Sequence, residues 1–168
     1  SLNSEKIELY LNKDPEKLLH LQGEYIIIAE TADSTYIISS YYGVCQYFYT
    51  IRNSCIIHDE TVLGVVKKAN LHWKYNYRAL AHVTCLDHTL GEETLHPDIF
   101  RVPAATILRF NKGKLSRQSL EWHQIHKPGK TTPDEALTLF NTSVQRKISD
   151  YNVISLSGGF DSRVILSA

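Results

Sequence analysis

Four short runs of isoleucine and tyrosine, spaced by brief polar connectors, constrain this chain most. "GEYIIIAE" (residues 23–30) is followed across "TADS" by "TYIISSYYG", then by "CQYFYT", and across an "RN" dipeptide by "SCIIHD" (residues 54–59). β-Branched and aromatic side chains suit a pleated, half-buried surface. Connectors this short join neighbouring strands as hairpins. The spacing predicts an antiparallel meander of about four strands. Further along, "IFRVPAATILRFNKGKLSRQSLEWH" (residues 99–123) predicts two more strands around a turn at Gly113.

Helical signals flank these runs. In "KDPEKLLHLQ", Asp14 is positioned as an N-cap and Pro15 as the first helical residue, which turns Leu18, Leu19 and Leu21 toward the sheet. "DETVLGVVKKA" predicts a helix capped by Asp59, and "NYRALAHVTCL" a second one over residues 76–86. "KPGKTTP" combines proline and glycine in a polar stretch and predicts a linker over residues 127–132. The helix that follows opens with a capping box. Thr132 is its N-cap, Pro133 its first residue, and Glu135 stands three past the cap. The fold class expected is therefore α+β, an antiparallel sheet with flanking helices over residues 1–126, then a second domain beginning at residue 133.

Composition sets limits on function. The 168 residues carry 18 Lys+Arg against 18 Asp+Glu, a formal net charge of zero, with 43% hydrophobic residues. A balanced chain lacks the basic excess of a nucleic-acid or anionic-membrane binder, so neither partner is expected. No apolar run approaches the roughly 20 residues of a membrane helix, and no signal peptide is visible. Cys45, Cys55 and Cys85 are odd in number and form no CxxC pair, which points to a reducing cytoplasm. Ser1 reads as an expression remnant, since the chain holds no methionine.

The chemistry concentrates at the C-terminal end. "YNVISL" (residues 151–156) suits a buried parallel strand, "SGGFDS" follows at once, and "RVILSA" favours a helix. Strand, glycine turn and helix start form a recurring phosphate site. Glycines let the backbone approach the ligand, successive N–H groups converge on the anion, and the helix aims its positive end there. Ser157 and Ser162 add hydroxyls beside Gly158 and Gly159. Asp161 is acceptor-only when ionised, so it either caps the helix or helps to hold a Mg²⁺ that the phosphates share. The run is neither a Walker A loop nor GxGxxG.

SGGxDS after a strand resembles the pyrophosphate loop of the ATP-pyrophosphatase group. The resemblance spreads upstream to the asparagine synthetase family, in which a class II glutamine amidotransferase (Ntn-type) domain precedes an ATP-pyrophosphatase synthetase domain. "LHLQGEYIIIAE", "YIISSYYGVCQYFYT", "TLHPDIFRVPAATILRF" and "LEWH", with Trp122 at a family tryptophan, are similar to family segments in the same order. The resemblance implies an ATP-dependent amide-forming ligase that uses ATP, Mg²⁺ and a carboxylic acid, with a homo-oligomer possible. It places Ser157, Gly158, Gly159, Asp161 and Ser162 at pyrophosphate, with Asp161 reaching Mg²⁺. Departures are equally specific. The family's amidotransferase starts at Cys-Gly, whereas here the chain opens Ser1-Leu2, and Ser40-Tyr41 replace an Asp-Arg pair before Gly43. Arg163 stands where a serine is common. Glutamine hydrolysis is not expected, no catalytic residue is assigned, and the chain on its own is expected to be inactive, with ATP bound tightly only by a longer parent. The alternative is a non-catalytic amidotransferase-like binding or assembly module, a lasso-peptide-cyclase-like relative among the options.

Other candidates have plainer explanations. His82, Cys85 and His88 in "HVTCLDH" have metal-type side chains, but at successive i+3 steps they drift off one helix face. Two ligands do not close a zinc site, and the expectation is a partly exposed helix with a buried Cys85. His123 and His126 are weaker still. The tyrosines at 25, 36, 41, 42, 47 and 49 lack interleaved cations and are expected to pack sheets rather than stack on bases.

Overall fold

A polar opening stretch folds first. The computed structural model, which describes residues 3–120, 129, 131–156 and 158–168, places a helix, α1, at Ser4–Lys13. The Asn3 side chain caps it by accepting from Lys6 N at 3.0 Å. A 3-10 helix, Pro15–His20, follows directly and buries Leu18 and Leu19 completely. The sequence predicted an ordinary helix here with Asp14 as its cap. Asp14 does occupy that position, but its side chain makes no capping hydrogen bond. The chain divides into two units, Ser1–Ile125 and His126–Ala168.

The first unit holds two antiparallel sheets rather than one meander. The larger joins β1 (Ile26–Glu30), β2 (Ser34–Ser39), β6 (Thr106–Asn111) and β7 (Lys114–Ser119) in the order β1-β2-β6-β7. The smaller joins β3 (Phe48–Arg52), β4 (Cys55–Asp59) and β5 (Phe100–Arg101) in the order β4-β3-β5. β2 does not pair with β3, because β6 occupies its free edge. At Gly43, whose φ is +60°, the chain turns out of the first sheet, packed directly on Ala104. The β3–β4 hairpin turns at Asn53 and Ser54, both at positive φ, as a two-residue turn requires.

Alternation along the strands explains the apolar runs. Ile37 and Leu108 point toward the smaller sheet and meet Tyr47, Tyr49 and Val102, with Ile26, Ile56 and Leu115 around them. Their neighbours Ile38 and Ile107 point the other way, onto Leu18 and Leu19. The edge strand β7 is polar and mostly exposed, whereas at the centre of the larger sheet, in β2 and β6, both faces are therefore buried, and the apolar residues there run on without strict alternation. Burying each such side chain contributes about 1.5–3 kcal/mol.

Helix α2 (Val62–Lys68) contacts β3 and β4. It meets the face of the smaller sheet opposite Tyr49 and Ile56: Arg52 donates to the Ala69 and Asn70 carbonyls, and Asp59 pairs with Lys68 at 2.8 Å. The layers thus run helix, sheet, sheet, helix. Thr61, not Asp59, is the α2 cap, accepting from Gly64 N at 2.9 Å. Asp59 instead accepts from Thr61 N and from the Thr61 hydroxyl. Helix α3 (Tyr77–Leu86) forms where the sequence predicts it, with Asn76 as its cap, accepting from Ala79 N at 3.2 Å.

In the second unit, α4 (Pro133–Gln145) carries both halves of the Thr132–Glu135 capping box. The predicted strand over residues 151–156 does not form. No ladder partner stands beside it among the described residues, and Val153 is fully exposed. A strand exists only through its neighbours, and here the propensity of the run is present without them. Helix α5 (Phe160–Ser167) follows. Among the described residues, no helix is long and apolar enough to cross a membrane.

Candidate functional site

A glycine turn stands directly before α5. Gly158 has φ +75°, a left-handed conformation that L side chains rarely adopt, and nothing lies within 4 Å of where its Cβ would stand. Gly159 is extended (φ −72°, ψ 161°) and is the N-cap of α5. A glycine cap has no side chain to accept from the first-turn N–H groups, so those donors stay available to a ligand.

Side chains gather around this backbone. Asp161 sits in the first turn of α5 and is exposed. The sequence left it as either helix cap or Mg²⁺ ligand, and the structure shows that it is not the cap. No hydrogen bond or ion pair ties down its carboxylate among the described residues. Mg²⁺ in phosphate sites is commonly held by one or two carboxylates plus the substrate phosphates, and a single free carboxylate beside open N–H donors fits that requirement. The Ser162 hydroxyl bonds back to the Gly159 carbonyl at 3.3 Å. Ser157 lies outside the described residues, as do Trp122, His123 and His126.

Arg163 is the contributor that sequence reasoning missed. It had been noted only as a departure from a family serine. Its guanidinium folds back onto the loop, reaching the Gly159 carbonyl at 3.3 Å and the Gly158 carbonyl at 3.5 Å. It also lies over the Phe160 ring, 5.9 Å from its centroid, within the reach of about 6 Å at which a ring face attracts a cation. Its position four residues past Gly159 places it one helical turn along, which is the signal that points it back at the loop.

The first unit carries no comparable donor cluster at the positions where the resemblance would put one. Ser40 is fully buried, and its hydroxyl donates to Glu24 at 2.6 Å. Its carbonyl accepts from both Gly43 N and Ala105 N. It is a structural post at the point where the chain leaves the larger sheet. His82, Cys85 and His88 do not converge. His82 Nδ1 faces Glu93 at 3.5 Å, His88 reaches the Leu86 carbonyl, and no metal-holding group exists among the described residues. Cys85 is exposed, not buried as expected, because it falls on the outer face of α3, opposite the side that buries Ala79. Tyr47 and Tyr49 pack the core between the sheets, while Tyr42 is exposed beside Tyr41.

Buried titratable groups in this unit are structural. Burial holds the His58 imidazole below its usual range, with Lys68 acting in the same direction, and raises the phenol of Tyr47, its hydrogen-bond partner at 3.0 Å. The Lys68 ammonium and the Thr61 amide hold the Asp59 carboxyl down at about 2. No protein-family model and no curated protein matches the chain.

Proposed function

We propose that this chain belongs to an asparagine synthetase-like ligase that forms an amide at the expense of ATP. In such a reaction a carboxylate oxygen attacks the α-phosphorus of ATP, pyrophosphate leaves, and an amine then displaces AMP from the acyl carbon. The residues assigned to pyrophosphate are Ser157, Gly158, Gly159, Asp161 and Ser162, with Arg163 added. One observation carries the reading: Gly158 at φ +75° and Gly159 as a cap without a side chain leave the first-turn donors of α5 open beside Arg163. Donors fixed in advance stabilise charge as it develops on a leaving pyrophosphate. Mg²⁺, held by Asp161 and the phosphates, would neutralise the same charge.

Three further features support it. The helix, sheet, sheet, helix order of the first unit suits an amidotransferase-like Ntn domain. The exposed Val153 and Leu156 suit a strand that a parallel synthetase sheet would bury on both sides. Three exposed free cysteines suit a reducing cytoplasm. The test is carboxylate-dependent exchange of labelled pyrophosphate into ATP, run on the product of the complete open reading frame. Exchange supports adenylation. ADP and orthophosphate as the products would replace it with phosphoryl transfer.

The binding-module alternative draws on the first unit, where Ser40 is committed to packing and stands in place of the family's acidic residue. Its mark would be full-length protein that folds and assembles but shows no exchange with any carboxylate.

A further inference from the structure

The larger sheet ends at β1, and one side of that strand has no partner. In an antiparallel ladder each residue turns its N–H and C=O toward one neighbour, and successive residues alternate. The Tyr25 carbonyl accepts from Ser40 N at 3.0 Å, and Thr31 N donates to the Ser34 carbonyl at 2.9 Å. Tyr25, Ile27, Ala29 and Thr31 therefore face β2. Ile26, Ile28 and Glu30 face outward, and their amides and carbonyls meet no backbone partner among the described residues. The strand holds no proline and keeps an unbroken register with β2, so the edge stays open to pairing.

Helix α1 forms the far wall of a groove of about 400 Å³ along this edge. Ile7 and Leu11 give the wall its apolar part. Ala29 shares a sheet face with Ile27, the face that Tyr10 and Leu11 of α1 cover, and its short side chain leaves room there. Ile28, on the opposite face, is 39% exposed. The charge in the groove is of one sign. Glu8 and Glu30 line it, and no Lys, Arg or His does. Neither carboxylate takes part in an ion pair among the described residues. His58 senses Glu30, but burial holds its imidazole below the usual range, so it brings no charge at pH 7.

We infer that this groove takes up an extended basic peptide as an added strand beside β1. The peptide backbone pairs with Ile28, and with Ile26 and Glu30 on either side. Side chains alternate across a strand. Those on the α1 side meet Ile7, Leu11 and Glu8, and those on the other side meet Ile28 and Glu30. Two adjacent basic residues thus reach one carboxylate each, and apolar residues beside them cover Ile7 and Ile28. Strand addition of this kind derives affinity from main-chain hydrogen bonds and specificity from alternate pockets. A second copy of this chain is disfavoured at the same edge. Antiparallel pairing of two β1 strands centred on Ile28 sets Glu30 of one copy diagonal to Glu24 of the other, within reach of each other and with no cation in the strand. The groove belongs to the first unit and involves no residue of the phosphate loop, so the two proposals fail separately.

The experiment is an amide NMR titration of the full chain with the acetylated, amidated pentapeptide Val-Val-Lys-Lys-Val. Saturable shifts at Ile26, Ile28 and Glu30 and slowed exchange of the Ile28 amide are expected. Glutamate in place of both lysines should abolish measurable binding. Two N-methylated peptides test the strand pairing, one modified at its second and fourth residues and the other at its third. One of them loses donors that face β1 and should bind at least about fivefold more weakly, the value of one net hydrogen bond. The other loses only an outward donor and should bind as the parent does. Glu30→Gln, at an exposed side chain, should weaken binding by up to about fivefold, as an exposed ion pair does. The peptide comparisons leave the protein unchanged, so its folding is constant throughout. The inference is overturned by no saturable shift at Ile28, by equal affinity for the glutamate peptide, by equal affinity of the two N-methylated peptides, or by self-association through this edge.

Discussion

Substituting Gly43 by alanine should destabilise the first unit far more than the same change at Gly91. Both glycines lie in the left-handed region, Gly43 at φ +60° and Gly91 at φ +58°. An alanine held there costs about 1–2 kcal/mol at either position. Their surroundings differ. A Cβ on Gly91 meets nothing within 4 Å, whereas one on Gly43 stands 2.8 Å from Ala104 Cβ and 3.0 Å from Ala104 Cα. Ala104 has no flexible end to move aside, so the backbone on both sides of the crossing from β2 to β3 must shift. Overpacking of this kind costs about 1–3 kcal/mol. Gly91→Ala therefore measures strain alone, and Gly43→Ala measures strain plus crowding. At about 3–4 °C per kcal/mol for a unit of this size, scanning calorimetry should place the Gly43→Ala transition about 3–12 °C below that of Gly91→Ala. Equal transitions would refute the close approach of residues 43 and 104, and with it the reason the chain leaves the first sheet at that point.

Leu19→Ala removes a fully buried side chain between the 3-10 helix and the larger sheet. It should cost about 2–5 kcal/mol in urea unfolding, with the m-value unchanged. Asp59 has a folded pKa of about 2 against a reference of 3.8. Its contribution is fully present above about pH 4 and is lost as the pH falls toward 2. Asp59→Asn should lower stability at pH 7 and flatten that part of the acid limb in a pH series of denaturation curves. Thr132→Ala removes the hydroxyl that accepts from Glu135 N, one half of the α4 capping box, and leaves the Glu135 carboxylate on the N–H of residue 132. It should cost the second unit about 1 kcal/mol, read as lost helical circular dichroism on mild heating.

What the sequence revealed was mostly local. The isoleucine runs found six of the strands, because propensity and short connectors act between near neighbours. Their assembly into two sheets was not legible, since β2 pairs with β6 across some 70 residues, at Ile37↔Leu108 for example, and no local pattern encodes that choice. Helix α1 was missed because its residues are polar and it buries none of them fully, leaving only the Asn3 cap as a signal. Capping chemistry was legible at Thr132. At Asp59 the acidic residue two before the true cap drew the assignment, although the Thr61 hydroxyl is the acceptor for Gly64 N. The glycine turn and the start of α5 were legible because the signals for both are contiguous. Arg163 was not, since its role depends on a side chain folding back by one turn. The 151–156 run shows the opposite limit, a strong strand propensity with no neighbour to pair with.

The central claim is that the loop around Gly158 and Gly159 holds pyrophosphate. Isothermal titration of Mg²⁺-pyrophosphate into the product of the complete open reading frame, wild type against Gly158→Val, tests it most directly. Valine has open space at this position but cannot adopt φ +75° without strain. The N–H groups should therefore be turned out of the site while the fold stays intact. The account predicts one-to-one binding by the wild type, weakened about tenfold or more in the variant, as about 1–2 kcal/mol of strain requires. No binding by the wild type, or equal binding by the variant, would contradict it.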